Sequence, residues 1–330
     1  ITSNVPHIYG ADVGLALKDD EPDDIEGGSE GSPVLMESLR GGMRFGTMVH
    51  QIFEHVDFAA TDLAGELAAE DETALRWYPE PIDGAVLAVG LEAAIETPLV
   101  EDSDGLRLRN ITRGDRLDEL GFEMPIRPRS TARVSVEGIA RIWRELVPAD
   151  DPVAVYADRL AGLPASEFHG FLSGSIDLTY RVALSNGREQ FVVVDYKTNR
   201  LPMRGQTAAV FDYAPEHLLE VMVNSNYLLQ SLLYQVALHR YLRWRQPDYD
   251  PAVHLGGSQY LFVRGMVGPD TPVVGGGRCG VFSWKPAPDL VEAVGQLVEG
   301  EQHVWPPVPT AGAARSVLAG GSAGCRRRLR

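Results

Sequence analysis

Two aspartates and a lysine on neighbouring predicted strands are of the types that could hold a metal ion together. The apolar run Phe191–Val194 predicts a buried strand, and that strand ends on Asp195 and Lys197. Charged residues are rarely buried without a partner, so two opposite charges at the end of a core strand need a reason. The preceding predicted strand carries Asp177. Carboxylate oxygens are hard ligands that suit Mg²⁺, Mn²⁺ or Ca²⁺ rather than a thiophilic metal.

The loop between the two strands decides whether the aspartates meet. The dipeptide Asn186–Gly187 is a strong turn signal. A two-residue turn on this dipeptide would pair Asp177 with Tyr196 and leave the two aspartates on opposite faces of the sheet. A three-residue loop, Ser185–Gly187, with its glycine in the left-handed conformation as a bulge, would place Asp177 directly opposite Asp195.

The three-residue loop would gather two acids and a base on one surface. The carboxylates of Asp177 and Asp195 would then lie about 5 Å apart at Cβ and repel each other. Because side chains alternate along a strand, Lys197 would share the face of Asp195. A divalent cation would remove the repulsion, and so would the loss of one carboxylate. Taken alone, however, an Asp–x–Lys sequence most often forms a surface ion pair.

The composition limits the class of protein. The 330-residue chain is 44% hydrophobic and 23% charged, as in ordinary globular proteins, and no apolar run approaches the ~20 residues of a membrane span. The formal net charge of −16 argues against wrapping nucleic acid by bulk electrostatic attraction. It does not exclude a nuclease, because nuclease sites are themselves built of carboxylates. The only cysteines, Cys279 and Cys325, predict neither a disulfide framework nor a zinc site and favour a reducing cytoplasm.

The sequence divides into a linker, a domain and a tail. Residues 1–44 include the acidic, Gly-, Ser- and Pro-rich stretch 17–33 and predict a flexible linker. Residues 45–302 predict one domain, and residues 303–330 predict a loosely ordered tail. The chain begins with Ile1 and has no phosphate-binding loop, which is compatible with a fragment that follows an upstream helicase region.

Hydrophobic periodicity predicts the order of the helices and strands. The stretch 106–121 is interpreted as a polar helix or loop that leads into a strand around 122–126. Further strands are predicted on both sides of the Asn186–Gly187 turn and over 258–266. Helices are predicted to begin at Phe45 and to cover 60–80, 84–97, 226–245 and 289–300, with helical or mixed structure over 131–162.

Several short motifs follow one another along the chain. Gly174–Asp177 precedes Asp195–Thr198, and Gln230 and Tyr234 follow on one predicted helix. This order resembles the PD-(D/E)xK nuclease superfamily, in its RecB-type branch. The resemblance implies an α/β fold with a restriction-endonuclease-like core, in which helices flank a mixed β-sheet. Six segments between about residues 45 and 300 are similar to that branch and occur in its order: FGTMVHQIFEHVDF, DELGFEMPI, GFLSGSIDLTYR, FVVVDYKTNRL, YLLQSLLYQVALHRYLR and GGSQYLFVRGM.

The resemblance also implies a metal site. Asp177 and Asp195 match the two acidic metal ligands of the family, and Lys197 matches its catalytic lysine. His50 matches the histidine that completes the site in this branch, together with the backbone carbonyl of Tyr196. Without the resemblance, a histidine on an apolar helix face would be interpreted as a core residue.

Three further residues are matched around this site. Glu119 matches an additional catalytic acid, with Glu123 in the same segment as the alternative. Gln230 and Tyr234 match the family's Gln–x–x–x–Tyr motif, on the helix beside the active site, where these residues contact DNA or support the metal ligands. Taken alone, such a pair four residues apart would be interpreted as a helix face that meets solvent.

The activity implied by the resemblance is the hydrolysis of DNA phosphodiesters in double-strand break repair and recombination. The expected cofactor is Mg²⁺, with Mn²⁺ as an alternative, whereas Ca²⁺ is expected to bind without supporting turnover. The implied partners are DNA, as single strands or duplex ends, and RecC- and RecD-like subunits bound through the full-length chain in the cytoplasm, with no membrane. The alternatives are a non-catalytic module that binds DNA ends or partner subunits, and a hydrolase of another phosphoester.

Overall fold

The structure described here is a computed structural model, and it describes residues 33–76, 78, 82–100, 105–126, 134–164, 170–184, 187–201 and 207–299. Most of the predicted linker and all of the predicted tail lie outside these residues. No helix within the described ranges is long and apolar enough to cross a membrane.

The helices and strands of the described residues alternate along the chain. The helices are α1 (Met43–His55), α2 (Leu63–Leu75), α3 (Gly84–Glu96), α4 (Val136–Leu146), α5 (Tyr156–Ala161), α6 (Pro215–Asn224), α7 (Tyr227–Arg245), α8 (Pro251–His254) and α9 (Pro288–Glu299). The strands are β1 (Arg116–Ile126), β2 (Gly170–Ala183), β3 (Glu189–Lys197), β4 (Leu255–Phe262), β5 (Val273–Val274), β6 (Gly277–Arg278) and β7 (Val281–Trp284).

The main sheet has five strands in the order β1-β2-β3-β4-β7. Strands β1, β2 and β3 pair antiparallel, β3 and β4 pair parallel, and β4 and β7 pair antiparallel. Strands β5 and β6 form a separate two-stranded hairpin. The sheet is therefore mixed, as the resemblance implied.

The sheet carries an apolar core on each face. Val193 of the central strand β3 packs into one core, to which helices α4 to α7 and α9 contribute. Its neighbours Val192 and Val194 pack into the other core, with helices α1 to α3. Because β3 is buried on both faces, its sequence is a continuous apolar run rather than an alternation. The predicted fold class, α/β with helices flanking a mixed sheet, is confirmed.

Helix α1 lies against the end of β3. Its apolar residues recur at helical spacing, so one side of the helix is buried against the sheet while the opposite side is solvated. The buried residues of α1 are Phe45, Met48, Val49, Ile52 and Phe53. His50 lies beside this buried stripe and is only partly exposed.

The structure corrects the prediction for β1. This strand begins at Arg116 rather than near Phe122. The polar residues that suggested a helix or loop are tolerated because β1 is the edge of the sheet, where one side has no neighbouring strand among the described residues. Its outward side chains, such as Leu117 and Glu119, are exposed.

Strand β4 also differs from its prediction. It covers Leu255–Phe262 and not 258–266. Gly256 and Gly257, which precede the predicted strand, form an irregularity at the start of β4, where the register with β3 shifts. Gly257 has a φ of +91°, and a Cβ atom there would lie 2.7 Å from the carbonyl oxygen of Trp284, so only glycine fits. Helix α6 and edge strand β7 were not predicted.

Candidate metal centre

Three acidic residues lie in one row across strands β1, β2 and β3. The pairs on either side of Glu119 in the ladder between β1 and β2 place it opposite Asp177. The ladder between β2 and β3 ends at the pair Leu178–Val194, so Asp177 and Asp195 are the next residues along the two strands. The row brings together acids that are up to 76 residues apart in sequence, from position 119 to position 195.

The hairpin that sets this register contains a three-residue loop. Ala183 and Glu189 form the terminal pair of the ladder, and the N–H of Leu184 donates to the carbonyl of Arg188 at 2.7 Å. Gly187 has a φ of +78°, the left-handed conformation that the three-residue loop requires. The three-residue alternative is confirmed, and the two-residue turn, which would pair Asp177 with Tyr196, is wrong.

The backbones of strands β1 and β2 are irregular at Glu119 and Asp177. Ile176 and Leu178 would share one face of a regular strand, but they pack into the cores on opposite faces of the sheet. Opposite this point, Glu119 has a φ of +48°. A left-handed conformation costs a non-glycine residue about 1–3 kcal/mol and is concentrated at functional sites. The local backbone is therefore shaped around Glu119 and Asp177.

A histidine from helix α1 joins two members of the row. Among the described residues, His50, Glu119 and Asp177 each offer a ligand atom, and these atoms all lie within 4.8 Å of one another. Oxygens that share an octahedral Mg²⁺ lie about 3 to 4 Å apart. This donor set of one imidazole and two carboxylates therefore fits a divalent cation after small side-chain shifts. Asp195 does not belong to this group of three residues.

His50 links helix α1 to strands β2 and β3. Its Nδ1 lies 3.5 Å from Asp177 Oδ2, and its Nε2 lies 2.8 Å from the carbonyl oxygen of Tyr196. Burial lowers the pKa of His50, but the nearby carboxylates of Asp177 and Asp195 outweigh burial and raise the pKa to about 9. The direction of this shift reflects the negative charge around His50, whose two ring nitrogens face Asp177 and the Tyr196 carbonyl.

The backbone of β3 also holds Asp177. The Tyr196 N–H donates to Asp177 Oδ2 at 2.8 Å. Burial raises the pKa of Asp177, but the charge of His50, its hydrogen bond, the Tyr196 N–H and Lys197 together hold that pKa below its ordinary value. Asp177 is thus an ionised carboxylate that is ready to bind a cation.

Glu119 is the exposed member of the group. Its Oε2 accepts a hydrogen bond from the Ser175 hydroxyl at 2.7 Å. Partial burial raises the pKa of Glu119, the Ser175 hydroxyl lowers it, and the charge of Asp177 raises it further. Glu123 pairs with Ser173 further along β1 and is not part of the group. The geometry therefore favours Glu119 over Glu123 as the additional acid.

Asp195 and Lys197 form a buried ion pair beside this group. Lys197 Nζ lies 2.9 Å from Asp195 Oδ2, so the two side chains share one face as predicted. The ammonium also lies 4.1 Å from the ring centroid of Tyr227 and 5.6 Å from that of Tyr260. The surface ion pair that an Asp–x–Lys sequence usually forms is excluded, because both side chains are buried.

Gln230 and Tyr234 lie on helix α7 and connect to the same region. Gln230 Nε2 donates to the Tyr234 hydroxyl at 3.0 Å, and the Tyr260 hydroxyl donates to Gln230 Oε1 at 3.0 Å. Tyr260 in turn pairs with Asp195 in the ladder between β3 and β4. Gln230 is buried, so the interpretation of this pair as a solvent-facing helix surface is wrong.

Tyr227 and Tyr260, which flank Lys197, were not identified from the sequence. Both lie in segments that resemble the family, but neither is among the residues matched to the site, and they lie 30 and 63 positions from the lysine at position 197. The aromatic content of the segments around positions 227 and 260 was visible, but nothing local indicated that two rings would enclose one ammonium group.

Comparison with known proteins decides the family. The sequence pattern of the PD-(D/E)XK nuclease superfamily matches residues 27–276, which include every residue of the row, His50, Lys197 and the Gln–Tyr pair. This chain belongs to the PD-(D/E)XK nuclease superfamily.

Within this superfamily, the chain is homologous to part of RecB. It is 46% identical over 297 residues to the RecBCD enzyme subunit RecB of Mycolicibacterium smegmatis, covering 86% of this chain and 27% of that protein. It is 46% identical over 275 residues to the subunit of Mycobacterium tuberculosis (80% and 24%) and 31% identical over 261 residues to that of Escherichia coli (77% and 19%). The chain thus spans about a quarter or less of these relatives.

The donor set agrees with the metal dependence of PD-(D/E)XK nucleases. Two carboxylates, an imidazole and a backbone carbonyl offer mostly hard oxygen donors, with no thiolate among them. The rise in the pKa of His50 has the same cause, which is the negative charge that Asp177 and Asp195 place at this position. The site residues of this superfamily member are therefore chemically suited to a divalent cation.

Proposed function

We propose that this chain is a Mg²⁺-dependent deoxyribonuclease domain of a RecB-like subunit, which hydrolyses DNA phosphodiesters. The observation that carries the proposal is the row Glu119–Asp177–Asp195, with His50 and Lys197 at its two sides, in a member of a nuclease superfamily. A non-catalytic module would have no need of a strained backbone at Glu119 or of a buried lysine beside the acids.

The proposed metal ligands are those that the resemblance implies, His50, Asp177, Asp195 and the Tyr196 carbonyl, with Glu119 as the additional acid beside them. When bound, Mg²⁺ or Mn²⁺ would lower the pKa of a water molecule and neutralise charge on the phosphate. The Tyr196 N–H orients Asp177, and the Ser175 hydroxyl orients Glu119. For Ca²⁺, which prefers longer bonds and more ligands, we propose binding without turnover.

Lys197 supplies a positive charge beside the acidic row. Its ion pair with Asp195 and the two tyrosine rings stabilise the ammonium form. We therefore assign Lys197 an electrostatic role, in which it orients the attacking water or stabilises the extra negative charge of the transition state. The same contacts argue against the general-base role, which requires a neutral amine.

The substrate and the setting follow from the relatives. The relatives are RecB subunits of the RecBCD enzyme. By homology we propose that this chain acts on single strands from unwound duplex ends in double-strand break repair. Its partners would be RecC- and RecD-like subunits, bound through the full-length chain in the cytoplasm. The net charge of −16 repels DNA at long range, so delivery by such neighbours would compensate for weak intrinsic affinity.

The test is cleavage of end-labelled single-stranded DNA by the isolated chain, with Mg²⁺ against EDTA. The informative pair of variants is Glu119→Gln and Glu123→Gln, two glutamates on the same strand of which only the first lies in the acidic group. We expect Glu119→Gln to reduce cleavage at least ~10-fold and Glu123→Gln to leave it unchanged. DNA binding without any Mg²⁺-dependent cleavage by the wild type would favour the non-catalytic module instead.

A further inference from the structure

Residues 33–42, which precede helix α1, lie against the chain that follows β3; we call them the strap. The Val34 N–H donates to the carbonyl of Ala208 at 3.1 Å, and the Ala208 N–H donates to Glu37 Oε2 at 3.0 Å. The same Glu37 carboxylate pairs with Arg200. The strap is therefore held by the segment that follows strand β3.

A buried arginine joins the strap to the end of β3. Arg264 follows strand β4 and is 1% exposed, with its guanidinium 4.7 Å from the centroid of the Phe45 ring. The planar guanidinium has five donors in a fixed fork, so one side chain can bridge several carbonyls. It donates to four backbone carbonyls: Thr198 (Nε, 2.9 Å), Met36 (Nη1, 2.7 Å), Leu39 (Nη1, 3.0 Å) and Arg40 (Nη2, 3.2 Å).

These contacts lie next to the candidate metal centre, at the start of α1 and the end of β3. The first turn of α1 packs on Thr198, because a Cβ atom at Gly46 would lie 3.2 Å from Thr198 Oγ1. About one helical turn further along α1, His50 Nε2 meets the Tyr196 carbonyl at 2.8 Å. Arg264 thus holds both sides of this junction, the strap that leads into α1 and the residue that follows Lys197.

We propose that Arg264 is a positioning residue of the metal centre. By fixing the strap and α1 against Thr198, it sets the separation between the His50 imidazole and the Tyr196 carbonyl. The inference rests on the proposed metal-dependent function, since both groups are proposed ligands. Residues that orient metal ligands without touching the metal typically change metal affinity by about 10–100-fold when they are replaced.

The alternative is that Arg264 only stabilises the fold. A purely structural residue would change the free energy of unfolding but leave the affinity of the folded protein for metal unchanged. A positioning residue would weaken metal binding even where the protein is fully folded, and excess metal would restore activity. Metal affinity therefore separates the two roles.

The experiment measures Mn²⁺ binding to the full 330-residue chain without DNA, by calorimetry, together with cleavage of single-stranded DNA over a range of Mg²⁺ concentrations. Arg264→Lys keeps the charge but loses the planar fork. Leu290→Ala is the control, because Leu290 is a buried residue of α9 in the core on the other face of the sheet. Urea unfolding identifies conditions in which every variant is folded.

We expect Arg264→Lys to raise the Kd for Mn²⁺ about 10-fold or more and to raise the Mg²⁺ concentration needed for half-maximal cleavage, without changing the KM for DNA. Leu290→Ala should retain the wild-type Kd. If Arg264→Lys does not fold, Glu37→Gln tests the strap from its partly exposed side and should raise the Kd about threefold.

A folded Arg264→Lys variant that binds Mn²⁺ as tightly as the wild type would overturn the inference. If Arg264→Lys does not fold, a Glu37→Gln variant with the wild-type Kd for Mn²⁺ would overturn it instead. Failure of the wild type itself to bind Mn²⁺ would overturn the proposed metal-dependent function, and the inference with it. The two failures are therefore distinguishable.

Discussion

The buried ion pair between Asp195 and Lys197 changes what removal of Asp195 should do. Repulsion between neighbouring carboxylates, considered alone, predicts that the loss of one would stabilise the metal-free protein. The structure instead pairs Asp195 Oδ2 with Lys197 Nζ at 2.9 Å, with side-chain exposures of 3% and 4%. Removal of one partner of a buried ion pair costs about 3–5 kcal/mol, because the other charge stays desolvated. The rings of Tyr227 and Tyr260 still contact the ammonium, so we expect Asp195→Ala to lower the free energy of unfolding by about 3 kcal/mol.

The assay is urea unfolding at pH 7 in EDTA, on the wild type, Asp195→Ala, Lys197→Met and the double variant. The double-mutant cycle isolates the interaction between the two side chains, for which we expect about 2 kcal/mol of coupling. The matched control is Asp158→Ala, which breaks an ion pair with Arg144 at the same 2.9 Å distance but on the exposed surface. That variant should change stability by less than about 1 kcal/mol.

The reasoning is refuted if Asp195→Ala is as stable as the wild type or more stable, with additive effects in the cycle. Repulsion within the acidic row would then outweigh the ion pair. Whatever the stability, Asp195→Ala should abolish Mg²⁺-dependent cleavage, and near-normal cleavage would remove Asp195 from the active site.

Three further predictions follow from individual side chains. Lys197→Arg should lower kcat by ~10² or more, because the bulkier guanidinium does not fit between Tyr227 and Tyr260; single-turnover cleavage measures it. Tyr260→Phe removes the hydroxyl that donates to Gln230 and should lower kcat several-fold, measured by the same assay; urea unfolding should show a loss of about 1–3 kcal/mol, because the buried Gln230 Oε1 loses its donor. Asp71 of α2 is buried, and burial raises its pKa to about 7, above the unfolded value. The contribution of this carboxyl to stability should therefore fall as pH rises from about 4 to about 7, so urea unfolding should find Asp71→Asn about 2 kcal/mol more stable than the wild type at pH 8 and nearly neutral in effect at pH 4.

Local sequence signals were sufficient to predict strand β3 and helices α1, α7 and α9. The apolar run before Asp195 predicted β3 because a central strand is buried on both faces. The periodicity of α1, α7 and α9 predicted those helices because one stripe or most of the surface is buried. The polar edge strand β1 was missed over 116–121, because an edge strand has one side without a partner and tolerates the residues of a loop.

The register of the β2–β3 hairpin could not be predicted from local sequence signals alone. Asn186–Gly187 predicts a turn, but both loop lengths were compatible with the sequence, and they differ by which residue opposes Asp177. Burial of β3 on both faces and the pairing with its neighbours select one register, because a shift by one residue would exchange the faces of every side chain.

The sequence by itself determined the residue types of the site, their order along the chain and, through their resemblance to a family, the class of chemistry. Only the tertiary structure decided that Glu119 and not Glu123 joins Asp177, that Asp195 pairs with Lys197, and that one arginine, Arg264, holds the strap to the end of β3. These contacts join positions far apart in sequence, and a local pattern carries no information about them because their energies depend on burial and distance in the folded chain.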